Sequence, residues 1–437
     1  MLHDVLERAL KVAQQAEVYF VSSEETPAHF EANRLKRLET IESQGIALRI
    51  VKDGRLGFAS TTNLNDIQGL VNKAAEVAAF GAQARMEFPG KSDYPEVPVY
   101  DPAEEGITTD HLVQVGQNLI DALRAQNSDV LCEATASKTI TSTTILNSKG
   151  CNLSFMQSNF EVSLEGTVIQ GTDMLFVYDA LHSGNPIMDA RQLAQSLAQQ
   201  LELGRRVAPP ISGAMPVIFT PRAVSGAMLW PLSSALNGRS VLQGASPLTG
   251  RLGERIADEG FTLWDDPTTP FMQGSGMADD EGVPSRRLPL IHRGVAANFL
   301  YDLQTAGQAG RATTGSAIRW SLGMTPMPSA SVMIIEPGKA SFEDMVKDMK
   351  RGIIVEAMLG AGQSNILAGD FSANVLLGYR VEEGKVLGRV KDTVVSGNVY
   401  EVLNSLAGIG KESRWIWGRL SAPPLYCKSV SVSAKEA

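Results

Sequence analysis

The stretch Met277-Ala-Asp-Asp-Glu-Gly-Val-Pro-Ser-Arg-Arg287 sets three adjacent carboxylates, Asp279, Asp280 and Glu281, beside two arginines. Such a group could ligate a hard cation or orient a substrate amine. Successive side chains diverge, however, and all three face a single ion only with difficulty. The alternative is a capped turn entered from a strand, with Gly282 at positive φ and Pro284 ending it. The residue types favour that turn. The five histidines, His3, His29, His111, His182 and His292, are too far apart for two imidazoles to share one helix face as a zinc motif requires. There is no GxSxG elbow, no CxxC pair, no Walker loop and no GxGxxG after a strand. Cys132, Cys151 and Cys427 are widely spaced, offer no zinc framework, and read as small buried thiols of a reducing cytoplasm.

A second stretch, Leu229-Trp-Pro-Leu-Ser-Ser-Ala-Leu-Asn-Gly238, lies on a helix that the sequence specifies well. The strand-like run Met215–Phe219 ends at Thr220, a good N-cap, and Pro221 suits the first helical position. Val224, Met228, Leu232 and Ala235 then recur at helical spacing, and Asn237-Gly238 reads as a C-cap. Pro231 falls in the third turn, where it removes a hydrogen bond and clashes with the carbonyl of Ala227. A break in the helix is expected there.

The elements that must position these residues fall into three units. The first, 1–100, reads as a helix at 3–16, strands at 18–22 and 28–42, a hairpin of 45–51 with 56–60 across Lys52-Asp-Gly-Arg55, and a helix at 65–80. A Pro- and Gly-bearing linker, 88–102, follows. The second unit, 101–208, repeats the order: a helix at 109–125, strands at 129–136, 139–147, 151–157, 159–170 and 173–181, and a helix at 189–203. After Pro209-Pro210 the third unit, 209–437, is dominated by short strands near 216–219, 261–264, 288–291, 331–336, 372–381 and 426–433. Its second helix, 341–352, opens on Ser341 with Asp344 three residues on. The fold class is therefore α+β: helix–antiparallel strands–helix units followed by a β-rich C-terminal domain.

Composition narrows the partners. The 437 residues are 43% hydrophobic and 20% charged, as in a soluble globular protein. With a net charge of −9 and only short basic runs, Arg34-Leu-Lys-Arg37 and Arg286-Arg287, direct nucleic-acid binding is disfavoured. No apolar run of membrane-spanning length occurs, and the first twenty residues lack a signal peptide's basic start and apolar core. A cytoplasmic location is expected.

The order PVIFTPRAVSGAMLWPLSSALNG, GERIADEGFTLWDD, GSGMADDEGVPSRRLPLIHRGVAANFLYD, ATTGSA and IIEPGKASFEDMVKDMKRGIIVEAMLG resembles the TldD/PmbA (TldD/TldE) family, historically "modulators of DNA gyrase". The run FEANRLKRLETIESQGIALRIVKDGRLGFASTTNL is similar to that family's first domain, so the resemblance covers nearly the whole chain. It implies two branches. TldD-like chains carry a His-Glu-x-x-x-His helix and a C-terminal cysteine that bind a catalytic metal. PmbA/TldE-like chains lack both and pair with a TldD-like chain in a cytoplasmic metallopeptidase. Here the motif position, about 229–234, reads Leu-Trp-Pro-Leu-Ser-Ser, and the C-terminal neighbourhood GKESRWIWGRLSAPP has no cysteine.

The resemblance therefore implies the PmbA/TldE-like branch: no catalytic residue and no metal in this chain, with zinc expected in a TldD-like partner. Heterodimer and homodimer both remain open, and the implied substrate is an unfolded peptide or peptide precursor. Trp230, Asn237, Arg239, Asp279, Asp280 and Glu281 are the candidates for a substrate groove or subunit interface. Two other readings stand beside it. One is a stand-alone peptidase using the acidic triad and a distant histidine; the other is a peptide-binding adaptor.

Overall fold

The computed structural model describes residues 1–435. Its N-terminal half is built on one seven-stranded antiparallel sheet. Asp53 and Gly54, at φ 50° and 74°, turn Ile41–Lys52 back onto Arg55–Thr61, as the Asp-Gly pair predicts. A second turn was not anticipated. Ala32 and Asn33, at φ 48° and 67°, divide the expected strand 28–42 and fold Arg34–Leu38 onto Gln15–Glu31. Asn tolerates this left-handed conformation, which is why the chain can reverse without a glycine.

Four expected short strands are two long ones, Leu131–Asn147 and Asn152–Gln170. No Gly or Pro interrupts them at 137–138 or at 158, so nothing stops the pairing. The strand Gln15–Glu31 pairs with Leu131–Asn147 from Glu17 opposite Asn147 to Phe30 opposite Ala134. The sheet thus runs unbroken across both sides of the linker 88–102. Pro27 sits in this strand between the end of its pairing with Ile41–Lys52, at Glu25, and the start of its pairing with Arg34–Leu38, at Ala28. Its missing N–H costs no ladder bond there.

Four helices cover the sheet: Leu2–Leu10, Ile67–Ala78, Thr109–Gln126 and Arg191–Gly204. The first is shorter than expected because the chain enters its strand already at Gln15. Asp66 caps the second by accepting from Gly69 N at 2.9 Å, and Thr108 and His111 form a reciprocal capping box on the third.

The third unit contains a six-stranded mixed sheet and a closed ring. In the ring, Arg351–Leu359 pairs with Gly213–Phe219, that strand with Leu425–Ala434, then Thr393–Asn398, then Asp370–Glu382, which pairs back onto Arg351–Leu359. Closure gives each of these five strands a neighbour on both sides; Lys385–Arg389 and Leu406–Ile409 add to the ring from outside. Alternation sorts the side chains. Val217, Phe219, Ile353, Val355 and Phe371 join one core, whereas Ile218, Ile354, Leu377 and Tyr379 pack with Leu193, Leu197 and Leu201 of the helix Arg191–Gly204. The expected helix at 341–352 ends at Met349. Lys350, at φ 57°, turns the chain into the ring strand, and Ser341 Oγ accepts from Asp344 N at 3.1 Å as its cap.

In the six-stranded sheet, Asp265 is 2% exposed and its Oδ1 accepts from Ser331 N and Val332 N at 2.8 and 2.9 Å. Burial outweighs those bonds and pushes its carboxyl up to about 7. A carboxyl whose folded pKa lies above its unfolded value contributes stability present below pH 4 and lost as pH rises through about 7. Asp265→Asn keeps an acceptor for both amides and removes the buried charge. It should raise stability at pH 8 relative to pH 5; an unchanged pH dependence of the urea midpoint would contradict this.

Candidate functional site

Residues 221–236 form one continuous helix in three segments, Pro221–Val224, a π-helical turn Ser225–Leu229, and Trp230–Leu236. Pro231 does not end it, contrary to expectation. The π-turn lies directly ahead of Pro231 and contains Ala227, whose carbonyl an α-helical proline would strike, so the looser winding absorbs the clash. The helix stops at Leu236. Asn237 is its C-cap, as expected, though extended (φ −71°, ψ 119°) and not left-handed, and it also caps the next helix, Gly238–Leu242, accepting from Arg239 N at 2.8 Å and donating to Pro328 O at 2.7 Å. Asn237 thereby serves the local backbone. Arg239 is partly buried and meets it through its main-chain N–H.

The faces of this helix differ. Val224, Met228 and Leu232 are buried against Phe261, Leu263, Ile335 and Leu420, around a gap of only about 10 Å³. Such a gap holds one water at most, and its walls are apolar. Trp230 points the other way and is 59% exposed. Leu359, at the end of a ring strand, and Leu367, on a turn packed against Trp230–Leu236, are exposed with it. Leu229, Trp230, Pro231, Leu232, Ser233 and Ser234 supply no imidazole, thiolate or carboxylate, so they do not fit a catalytic metal. Among the described residues, no three His, Cys, Asp or Glu side chains converge as a metal site needs. All three cysteines are buried and unpaired with one another.

The acidic turn is built differently from a metal site. Asp279 Oδ1 accepts from Glu281 N at 3.0 Å and Val283 N at 2.9 Å, and its Oδ2 from Ala317 N at 3.0 Å. Asp280 Oδ2 accepts from Arg319 N at 2.6 Å. Glu281, fully buried, accepts from Leu303 N at 2.7 Å and pairs with Arg49 at 2.5 Å. The three carboxylates therefore diverge and serve three different partners. Gly282 has the positive φ expected, 77°.

Arg49 also pairs with Glu17 at 2.9 Å, and Glu17 with Arg319. The guanidiniums of Arg49 and Arg319 lie over the rings of Phe88 and Tyr19. Glu17, Arg49, Glu281 and Arg319 thus form a buried ionic cluster that ties the N-terminal sheet to the third unit. Burial lowers the pKa of Arg49, but the two flanking glutamates more than offset this and hold it above the ordinary arginine value. Burial pushes Glu281 up to about 7 against the pull of Arg49. Asp279 is driven well above the usual range by burial and by the charge of Glu281. Sequence reasoning missed Glu17, Arg49 and Arg319. A signal existed: Glu17 and Arg49 interrupt the apolar runs Ala-Glu-Val-Tyr-Phe and Ala-Leu-Arg-Ile-Val, and they stand directly opposite one another on adjacent strands.

The turn leaves no room for growth. A Cβ on Gly282 would lie 2.7 Å from Cys151 Sγ, at a φ that L residues rarely adopt. Gly282→Ala should cost more than about 1 kcal/mol. Urea unfolding checks this, and a midpoint equal to that of the native chain would contradict it.

Comparison with known proteins agrees with this architecture. The model of the PmbA/TldA metallopeptidase C-terminal domain matches residues 212–434, just over half of the chain, and the model of that family's domain 1 matches 16–78. An uncharacterized protein of Methanocaldococcus jannaschii is 25% identical over 98% of this chain and 100% of its own. A metalloprotease of Methanothermobacter thermautotrophicus is 27% identical over 87% of this chain and 84% of its own. The crystal structure of TldE from Thermococcus kodakarensis superposes with a TM-score of 0.91 at 24% identity, covering 99% of each chain, and so has the same fold. With more than half its length matched by the family's own C-terminal domain, the chain belongs to the TldD/PmbA metallopeptidase family.

Proposed function

We propose that this chain is a non-catalytic, PmbA/TldE-like subunit of a TldD/PmbA-type metallopeptidase that acts in the cytoplasm on unfolded peptides or peptide precursors. The observation that carries the reading is the helix 221–236. It occupies the position where the resemblance puts the metal motif, yet offers a packed apolar face inward and an exposed tryptophan outward. A large aromatic at 59% exposure, on a helix packed against the turn that carries exposed Leu367, is the residue type that anchors interfaces. A TldD-like partner would supply zinc and the chemistry. This chain would close the chamber over an extended peptide and keep folded proteins out. No helix among the described residues is long and apolar enough to cross a membrane.

The stand-alone reading loses its acids, because Asp279 and Asp280 are engaged by backbone amides of Ala317 and Arg319 and Glu281 is paired with Arg49. Metal analysis of the purified chain tests the assignment. Less than a tenth of an equivalent of zinc or iron is expected after mild chelation, with no cleavage of unfolded peptide. Stoichiometric metal with chelator-sensitive hydrolysis would overturn it.

A further inference from the structure

A cavity of about 310 Å³ lies between the N-terminal sheet with its helix Arg191–Gly204 and the ring of the third unit, away from the acidic cluster. Asp179, Arg222, Glu356, Tyr379 and Arg414 are among its walls. Two of these satisfy each other: Arg414 Nη2 donates to Asp179 Oδ2 at 2.7 Å, and Asp179 Oδ1 accepts from Ala180 N at 2.9 Å. Arg222 and Tyr379 are left incomplete. Arg222 donates through Nη1 to Tyr178 O and through Nε to Glu356 O at 3.3 Å, but its Nη2 is shut off from solvent without a partner. Tyr379, 4% exposed, has a hydroxyl with no partner either. The Thr220 hydroxyl donates to the Glu356 main-chain oxygen at 3.4 Å, and the Glu356 carboxylate feels the attraction of Arg222 and Arg414. Burial raises its pKa, as expected for a carboxylate short of counter-charge.

Opposite charges are thus held on the walls of one cavity and not joined to each other. A guest carrying both complementary charges would meet both at once. The volume is at the lower end of that of small-molecule sites. We propose that this cavity binds a zwitterionic amino acid or dipeptide, its ammonium held by Glu356 and its carboxylate by the partly exposed Arg222 guanidinium. An anion alone would meet the Glu356 charge, and a cation alone would meet Arg222. Only a dipolar guest is matched at both ends. The proposal does not rest on the subunit reading, since it concerns this chain by itself.

The test is calorimetric titration of the purified full chain with alanyl-alanine, N-acetyl-alanyl-alanine and alanyl-alanine amide. The free dipeptide is expected to bind and to raise the melting temperature with the logarithm of its concentration once that exceeds Kd. Each blocked form is expected to bind at least tenfold more weakly. Glu356→Gln should weaken alanyl-alanine at least tenfold and abolish the discrimination against the acetylated form. Arg222→Gln should do the same for the amide. The ligand series on the native chain stands even if a variant fails to fold. No binding of alanyl-alanine at millimolar concentration, or equal binding of either blocked form, would overturn the proposal; equal binding would mark a site for one ion alone.

Discussion

Replacing Arg49 with methionine is expected to destabilise the protein by about 3–5 kcal/mol at pH 8, the usual cost of removing one partner from a buried ion pair. Arg49 is 4% exposed and bridges Glu17 and Glu281, both at 0%. Methionine fills similar volume but strands two carboxylates in the interior with only Arg319 left to neutralise Glu17. Because the penalty is a charge penalty, it should shrink as the pH falls. Burial already holds Glu281 near 7, and loss of Arg49 removes what pulls it down, so protonation at pH 5.5 relieves the stranded charge. Urea unfolding followed at both pH values separates this from lost packing. A cost under about 1 kcal/mol, or one independent of pH, would mean that the cluster does not join the units as described.

Trp230→Ala is expected to weaken assembly with a metal-bearing family member by about thirtyfold or more, in line with a hot-spot loss of about 2 kcal/mol. The same change should leave the isolated chain's stability within about 0.5 kcal/mol, since exposed side chains contribute little to folding. The contrast lies within a single turn: Met228 and Leu232 are buried at 1% and 2%, and truncating either should unfold the helix's packing instead. Titration of the native and variant chains against the partner gives the two affinities. Unaltered affinity would place the interface elsewhere on the surface.

Local signals in the sequence were the most legible. The Asp53-Gly54 hairpin, the helices Ile67–Ala78 and Thr109–Gln126, and the Ser341 cap all follow from residues within a few positions of one another. What escaped was decided by distant partners. The union of two apparent strand units into one sheet depends on Gln15–Glu31 meeting Leu131–Asn147, and closure of the ring depends on Arg351–Leu359 meeting Asp370–Glu382 on one side and Gly213–Phe219 on the other. The ionic cluster draws Glu17, Arg49, Glu281 and Arg319 from opposite ends of the chain. For Pro231 the local rule was sound, but a π-turn offered the helix a way through that the rule did not include.

As proposed, this chain contributes shape and contacts to a peptidase whose metal lies in another subunit. Mixing it with a zinc-loaded TldD-like chain and following cleavage of an unfolded peptide tests this most directly. No turnover is expected from this chain alone, and turnover by the mixture should rise to a plateau at one equivalent and fall with Trp230→Ala. Full activity of the zinc-loaded chain without this one, or chelator-sensitive cleavage by this chain alone, would contradict it.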